Sequence, residues 1–380
     1  MSKGKLQIGF VRRGYSPSGG AENYLKRLAR GLVGLGHEAQ LFATDEWPVE
    51  EWPLGKINRI ESRSVIGFAN DLEKARQKIS CDALMSLERV WHCDVYRAGD
   101  GVHRAWLAYR SKFEMPLQRF SRVLNRKHRE ILQLEEALFA KAGTGRVIAN
   151  SEMVKREIVD FYNCPPEKID VVRTGIPLDQ FHFDSDNREK SRAALNLQPD
   201  EIALLFAGSG WERKGLRFAI EAIELCRNPK MILLVAGRGD ERLYKTKRLR
   251  FLREEPVRFL GEIVDLRPIY AAADIFILPS IYDPFSNACL EALACGLPVI
   301  TTKSNGFSEV INDSVHGSIV NVANDTISLG NAIRFWSEES RRTAARAANI
   351  QHAAAFDISK NVDRTLKILF QVTNAPSSVG

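Results

Sequence analysis

The sequence predicts an α/β protein made of two domains, each built on a parallel β-sheet with helices on both faces. Apolar strand patterns alternate with amphipathic helix patterns along the whole chain, which is typical of parallel sheets. The 380 residues suffice for about two domains of ordinary size. A polar stretch at 182–192, HFDSDNREKSR, lies between the two halves and is predicted to be a linker or loop.

The first predicted domain, residues 1–175, begins with a strand, an amphipathic helix and a second strand. The helix pattern places Leu25, Leu28, Ala29 and Leu32 on one face and ends at a glycine. The three patterns are LQIGFV at 6–11, AENYLKRLARGLVGLG at 21–36 and EAQLFAT at 38–44.

The second predicted domain, residues 176–356, repeats this rhythm, and a final helix at about 357–372 is expected to pack back on the first domain. The predicted strands and helices are IALLFAG at 202–208, GLRFAIEAIEL at 215–225, MILLVAG at 231–237, DLRPIYAAA at 265–273, DIFILPS at 274–280, a helix opening near Ser286 and closing at Gly296, and LPVITT at 297–302. In open parallel sheets, ligands bind outside the carboxyl ends of the strands. We therefore expect the site in a central cleft that the two domains face.

The composition excludes several classes of protein. No apolar run is long enough for a membrane span. The apolar run in the segment MSKGKLQIGFVRRG is too short for a secretory signal. The six cysteines form no C-x-x-C pair and no zinc-ligand spacing, which favours reduced thiols in the cytoplasm and no bound metal. The net charge is +7.

The first candidate site lies between the first strand and its helix, at Gly19 and Gly20. Glycines there let the backbone approach a ligand closely, and a helix N-terminus favours negative charge. An ordinary strand-to-helix turn is the alternative. The pair is not G-x-G-x-x-G, which disfavours a dinucleotide dehydrogenase.

The second candidate is the basic pair Arg213 and Lys214 in FAGSGWERKGL, directly after a predicted strand. Arginine can fork onto two phosphate oxygens and lysine acts as a point charge, so the pair suits a diphosphate. The alternative is a solvated basic pair. Two further strand ends, at Gly237 in LVAGRGD and at Gly261 and Ile263 in RFLGEIVDL, could form a slot for a nucleotide base, or could be plain turns.

The third candidate combines two acids with a helix start in YDPFSNACLEALACGLPVIT. The residues Ser286, Asn287 and Ala288 begin the helix, where backbone N–H groups would face a phosphate. Glu291, one turn later, could accept hydrogen bonds from a ribose diol, and Asp283 could accept them from sugar hydroxyls. The alternative for Glu291 is a surface acid, but its small apolar neighbours indicate a packed face, and a buried acid needs a partner.

These motifs, in this order, resemble the retaining GT-B-fold glycosyltransferases of family 4. DPFSNACLEALACGLPVITT is similar to the donor-binding signature of that family, and ERKG, GRGD, FLGEIVDL, YAAADIFILPS and RTGIPLDQF also fit. The resemblance covers essentially the whole chain. It implies two Rossmann-like domains, the first for the acceptor and the second for the nucleotide sugar, with no metal and no cofactor besides the nucleotide sugar as co-substrate.

A closer resemblance is to the lipopolysaccharide-core glucosyltransferase I group, through CDVYRAGDGVHRAWLAYR, RFSRVLNRKHREILQLEEALF and GSGWERKG. It implies transfer of glucose from UDP-glucose to a heptose of the core by an enzyme peripheral to the cytoplasmic membrane. Asp100 and His103 lie in AGDGVH, a predicted loop on the cleft side of the first domain, and are candidates on the acceptor side. Either could hydrogen-bond the transferred sugar or receive the acceptor's proton, and a surface loop histidine is the alternative for His103. Asp100 is favoured because the closer group also has an aspartate there. Asp100, Arg213, Lys214 and Asp283 are the expected catalytic residues.

Two positions depart from the family pattern. The first acid of the signature is usually Glu and here is Asp283, which could change the donor-sugar preference. Many members carry Arg where this chain has Ser209, so the diphosphate would depend more on Arg213 and Lys214.

The segment 104–129 concentrates the excess charge, with eight Lys or Arg residues against Glu114. Apolar residues interleave with these cations, a composition that suits docking on an anionic membrane surface. The alternative is a helix packed on its own domain with a solvated basic face. Nucleic acid is disfavoured because no known binding motif is present. The apolar residues are Trp106, Leu107, Phe113, Leu117, Phe120, Val123 and Leu124.

Other functions stay open at this point. The chain could be a family-4 transferase with another nucleotide sugar or acceptor, a GT-B sugar-nucleotide epimerase or phosphorylase, or a sugar-nucleotide binder without catalysis. The paired sets Asp283/Glu291 and Arg213/Lys214 argue against lost activity.

Overall fold

The computed structural model describes residues 4–114, 125–141, 143–244 and 256–374. They form two compact units. The first holds the described residues up to Gly175 together with those from Ile358 onward, and the second runs from Ile176 to Asp357. The second unit thus opens at the residue after the sequence-predicted boundary.

The first unit is built on a seven-stranded sheet whose neighbouring strands are all parallel. The strands are Gln7–Val11 (β1), Glu38–Ala43 (β2), Ile57–Arg59 (β3), Ala83–Ser86 (β4), Cys93–Ala98 (β5), Thr144–Ala149 (β6) and Ile169–Val171 (β7). Their order across the sheet is β3-β2-β1-β4-β5-β6-β7. The helices of this part of the chain are Gly20–Gly34 (α1), Val65–Arg76 (α2), His103–Ser111 (α3), Arg126–Glu135 (α4) and Glu152–Tyr162 (α5).

The second unit is built on a six-stranded parallel sheet. The strands are Ile202–Ala207 (β8), Met231–Ala236 (β9), Val257–Gly261 (β10), Ile275–Leu278 (β11), Val299–Thr302 (β12) and Gly317–Val320 (β13). Their order is β10-β9-β8-β11-β12-β13. The central strands are apolar along their whole length and buried on both faces, as a parallel sheet covered by helices requires.

The helices of the second unit alternate with its strands, and some of them were not predicted from the sequence. The helices of this unit are Ser185–Ala194 (α6), Trp211–Lys214 (α7), Leu216–Cys226 (α8), Arg267–Ala272 (α9), Asn287–Ala294 (α10), Thr326–Trp336 (α11) and Glu339–Ala353 (α12). The stretch of α6 was predicted to be a linker or loop, and that prediction was wrong. The predicted loop after β8 likewise contains the short helix α7. The side chain of Asp184 caps α6 by accepting from two backbone N–H groups, and Arg188 and Arg192 on one face bind the buried Asp274.

The last helix, Ile358–Thr373 (α13), packs in the first unit. Its apolar face joins the core that β1 and α1 also line. Tyr24 on α1 donates its hydroxyl to Asn361 Oδ1 at 2.9 Å, and Asn361 Nδ2 donates to the carbonyl of Arg173 at 2.6 Å. Buried hydrogen bonds therefore hold α13 against α1 and against the backbone that follows β7.

Within the described ranges, no helix is long and apolar enough to cross a membrane. The same residues contain no group of three or more His, Cys, Asp or Glu side chains placed to hold a metal ion.

Candidate functional site

The loop after β8 brings Arg213 and Lys214 to the carboxyl edge of the second sheet. The short helix α7 ends with these two cations. The carbonyl of Arg213 accepts from the N–H of Ile281 at 2.8 Å, and its guanidinium donates to the carbonyl of Tyr282 at 2.9 Å. The loop after β8 is thereby joined to the loop after β11.

Asp283 is the carboxylate that both cations share. Lys214 Nζ donates to Asp283 Oδ2 at 3.2 Å, and Arg213 Nη1 lies 3.6 Å from the same oxygen. The side chains of Lys214 and Asp283 are 12% and 7% exposed, whereas that of Arg213 is 34% exposed. Two cations share one carboxylate, so this group of three side chains has one positive charge in excess, which suits an anionic group such as a diphosphate.

Asn305, in the loop after β12, links Asp283 to the next helix. It is fully buried, and its Oδ1 accepts from the N–H of Ser286 at 3.3 Å. Immediately beside it, the N–H of Gly306 donates to the carbonyl of Asp283 at 2.9 Å. Asn305 could not be identified from the sequence, because an asparagine before glycine indicates only a turn.

The helix α10 begins where the sequence predicts it. Ser286 is its N-cap, and its Oγ accepts from the N–H of Cys289 at 3.3 Å. Asn287 and Ala288 form the first turn and are half-buried. The first turn of a helix favours negative charge, so the predicted phosphate role of these residues fits their position and stays a prediction.

Glu291 is buried, so the alternative of a surface acid was wrong. Tyr270 donates its hydroxyl to Glu291 Oε2 at 3.1 Å. Burial and the negative charge of Glu291 raise the pKa of Tyr270 well above its usual value, so the hydroxyl remains a donor. Since Tyr270 is a protein partner for the acid, burial alone does not require a ribose diol, and that role stays a prediction.

Three strand-end loops adjoin at the same edge of the second sheet. The N–H of Gly208 donates to the carbonyl of Ala236 at 2.8 Å, and the N–H of Gly237 donates to that of Gly261 at 2.7 Å. Ser209, at the position of the family's arginine, accepts from the N–H of Arg238 at 3.1 Å. Ser209 thus ties two loops together. The predicted base-slot residues lie in these loops, and Ile263 is two residues beyond β10.

Gly215, the residue after Lys214, lies close to the backbone of the loop after β11. Its φ is +80°, and a Cβ there would collide with the carbonyl oxygen of Pro279. Gly210 has a similar φ of +76°, but a Cβ there would meet no atom within 4 Å. We expect Gly210→Ala to lose roughly 1–2 kcal/mol of unfolding free energy from the left-handed backbone alone. Gly215→Ala should lose clearly more, because a carbonyl must also move.

Urea denaturation of both variants measures this difference. Equal losses in the two proteins would contradict a close approach of Gly215 to the loop after β11.

In the first unit, Gly19 is the N-cap of α1 and Gly20 its first residue. A Cβ on Gly19 would collide with the carboxylate of Glu22, which folds back over the helix start. A negative group therefore already lies at this helix N-terminus, where it is paired with Arg12 at 3.0 Å. The predicted contact of Gly19 and Gly20 with a nucleotide-sugar donor stays a prediction.

Asp100 and His103 lie in one loop and the first turn of α3, after β5. Asp100 Oδ2 accepts from Arg12 Nη1 at 3.1 Å. A ring nitrogen of His103, Nε2, is 2.9 Å from Nδ1 of His128 on α4. Both residues thus follow the carboxyl end of β5, the edge at which the sequence analysis expects ligands.

Glu135 holds this loop and was not identified from the sequence. It is fully buried, and its Oε1 accepts from Arg89 Nε at 2.9 Å and from the N–H of His103 at 2.6 Å. Its Oε2 accepts from the hydroxyl of Tyr162 at 2.7 Å. The carboxylate of α4 therefore caps α3, whose own N-cap residue supplies no side chain for this purpose.

The basic segment 104–129 is described at its two ends, on α3 and α4, while residues 115–124 lie outside the described residues. The predicted apolar positions Leu117, Phe120, Val123 and Leu124 and the cations Arg119 and Arg122 therefore lie outside them too. Arg110 pairs with Glu114 at 2.6 Å and Arg126 with Glu130 at 2.8 Å. Lys127 and Arg129 are exposed.

Two family profiles match the chain, one in each half. A profile described as glycosyl transferases group 1 matches residues 201–338, and one described as glycosyltransferase family 4 matches residues 18–180. A probable transglycosylase from Burkholderia thailandensis is 30% identical over 92% of this chain and 91% of the relative. The lipopolysaccharide glucosyltransferase WaaG from Escherichia coli is 24% identical over 91% of this chain and 94% of its own.

Solved structures show the same fold. The crystal structure of WaaG, a glycosyltransferase involved in lipopolysaccharide biosynthesis, superposes with a TM-score of 0.82 at 21% identity, covering 95% of this chain and 99% of the other. Anabaena HepE in complex with UDP-glucose superposes with a TM-score of 0.74 at 20% identity, covering 96% of this chain and all of the other. The predicted pair of parallel-sheet α/β domains of GT-B type is confirmed.

Proposed function

Because this chain belongs to the group 1 glycosyltransferases of family 4, we propose that it transfers glucose from UDP-glucose, with retention of configuration, to a heptose-containing lipopolysaccharide core acceptor. The likeness to WaaG supports this acceptor, and the UDP-glucose bound by HepE supports this donor. The reaction would take place at the cytoplasmic face of the membrane and need no metal.

One observation carries the donor side of the proposal, namely Lys214 and Arg213 sharing the carboxylate of Asp283 beside the N-terminus of α10. A leaving UDP gains negative charge as its bond to the sugar breaks. Positive groups already fixed at that place stabilise the charge without reorganising. Lys214 is largely buried, so its interaction with the diphosphate would be weakly screened by water.

The other donor contacts follow from position. Glu291, fixed by Tyr270, would accept from the ribose, and the loops of Gly237, Gly261 and Ile263 would contact the base. Asp283 would accept from hydroxyls of the transferred sugar. We assign no covalent nucleophile, because both acids are better explained as donor-binding groups than as the paired carboxylates of glycosidases.

The acceptor side would be formed by the loop of Asp100 and by His103. Asp100 has an exposed side chain held by Arg12, and could accept a hydrogen bond from an acceptor hydroxyl. Positioning of that hydroxyl against the donor sugar would supply the remainder of the rate enhancement.

The proposal is tested by release of nucleoside diphosphate from UDP-, GDP- and ADP-sugars, with and without heptose-containing core lipid. We expect release from UDP-glucose that depends on the acceptor. Acceptor-dependent release from another donor would overturn the choice of UDP-glucose. Release that no heptose-containing acceptor stimulates would overturn the choice of acceptor.

Membrane docking through the segment 104–129 is tested by sedimentation with anionic phospholipid vesicles. We expect the Lys127→Gln/Arg129→Gln variant to bind more weakly, because each cation near an anionic surface contributes about 1 kcal/mol. The Arg364→Gln/Lys367→Gln variant removes the same charge from exposed positions of α13 and should bind as the wild type does. Equal losses in both variants would contradict docking through this segment.

A further inference from the structure

Arg12, at the carboxyl end of β1, gathers three carboxylates from three different segments. Its Nε donates to Glu22 Oε1 at 3.0 Å, and its Nη1 donates to Asp100 Oδ2 at 3.1 Å. Glu88, after β4, lies 3.9 Å from the same Nη1. The side chains of Glu22 and Glu88 are 8% and 15% exposed, whereas that of Asp100 is 45% exposed. Asp100 is therefore the member of this group that solvent, or a ligand, reaches most easily.

The guanidinium is permanently charged in this position. Burial by itself lowers the pKa of Arg12, but Asp100, Glu88 and Glu22 together raise it above its usual value. Its planar fork can bind Glu22 and Asp100 at the same time, which a lysine ammonium on a flexible stem cannot do with fixed geometry. Glu22, anchored in the first turn of α1, thus sets the direction in which Arg12 presents its Nη1 to Asp100.

The backbone around Asp100 is fixed separately from its side chain. The carbonyl of Gly101 accepts from Arg89 Nη2 at 2.9 Å, and Glu135 holds the N–H of His103. These contacts hold the backbone of the loop, and Arg12 binds the Asp100 carboxylate itself. Loss of Arg12 should therefore change where the carboxylate points more than where the loop lies.

We propose that Arg12 is a positioning residue that orients the Asp100 carboxylate toward the acceptor hydroxyl. The inference rests on the proposed function, since it assumes that Asp100 contacts the acceptor. Through Arg12 and Glu22, the position of the Asp100 carboxylate depends on the connection between β1 and α1.

The charge of this group has a consequence for the acceptor. Three carboxylates lie within 4 Å of the Arg12 guanidinium, at distances of 3.0 Å, 3.9 Å and 3.1 Å. A hydroxyl donates to such a carboxylate, whereas a phosphate there would meet like charge. The group that Asp100 receives is accordingly an uncharged sugar hydroxyl.

The test is a double-mutant cycle of Arg12→Gln and Asp100→Asn, with transfer measured on the acceptor that the wild type uses. We expect Arg12→Gln to lower kcat/KM for the acceptor by about 10–100-fold, since misplacing a reacting group costs up to this much. In the Asp100→Asn background the same change should cost no more than about twofold, because Arg12 acts through Asp100. The dissociation constant for UDP should stay unchanged.

Two further variants guard against a general loss of structure. Arg12→Lys keeps the charge and should fold as the wild type does, yet it should lose transfer because its single ammonium cannot orient the carboxylate. Arg146→Lys changes an arginine that pairs with Asp170 in the same sheet, at 2.5 Å, and should leave transfer unchanged.

The proposal would be overturned if the losses in kcat/KM of the two single variants multiplied in the double variant. It would also be overturned if Arg12→Lys transferred sugar as fast as the wild type does. Failure of heptose-containing lipid as an acceptor for the wild type would instead overturn the proposed acceptor. The cycle on the acceptor that is used would still decide the role of Arg12.

Discussion

We expect Lys214→Ala to lower turnover by about 10²–10³-fold at saturating UDP-glucose and acceptor, as is typical when one fixed contact to a developing charge is removed. The reason lies in the position of the ammonium, which is largely buried and bound to Asp283 at 3.2 Å. A mobile cation from solvent cannot replace it without reorganising. Turnover is measured as acceptor-dependent UDP release.

Lys230→Ala is the matched control for this variant. Lys230 also pairs with an aspartate, Asp200 at 2.9 Å, but both side chains are exposed. Such a surface pair contributes roughly 0–1 kcal/mol, so the control should keep wild-type turnover. Unchanged turnover in Lys214→Ala itself would refute the assigned role of Lys214.

Asp283→Asn should lower turnover by about 10²-fold, the second-largest effect that we expect. The amide keeps the size of the side chain but loses the charge that Lys214 and Arg213 share. The two cations would then repel one another with no carboxylate between them, and the sugar would lose a charged acceptor. Steady-state kinetics with UDP-glucose would measure the loss.

Asp283→Glu is the informative comparison, because glutamate is the usual residue of the family pattern at this position. It keeps the charge on a longer side chain, so it should retain more activity than Asp283→Asn. Thermal unfolding of both variants shows whether the fold is intact. An Asp283→Asn enzyme with wild-type turnover would contradict a role of this charge in the donor site.

The local features of the donor half could be predicted from the sequence because they depend on neighbouring residues. The helix start near Ser286, the apolar strand in DIFILPS and the small apolar residues around Glu291 are all visible within a short window. The strand itself ends at Leu278, two residues before its predicted end at Ser280. The same reasoning mistook α6 for a linker, since its sequence is polar and lacks an apolar face. Its helix is stabilised by Arg188 and Arg192 binding Asp274, which is more than 80 residues away.

The acceptor half was less predictable for the same physical reason. Arg12 and Asp100 are 88 residues apart in the sequence, and Arg89 and Glu135 are 46 residues apart. A short sequence motif therefore cannot predict either contact. Parallel sheets bring such residues together only once the strand order is known. Asp100 and His103 were predicted from their position in a loop of the first domain, and the resemblance favoured Asp100, whereas the residues that hold them required the structure.

The measurement that tests the central claim most directly is the mass and anomeric configuration of the product formed from UDP-glucose and heptose-containing core lipid. We expect the acceptor to gain one hexose whose anomeric proton coupling in NMR shows the α configuration of the donor. A β-linked product would contradict retention. A product without an added hexose, despite consumption of UDP-glucose, would contradict the proposed transfer to this acceptor.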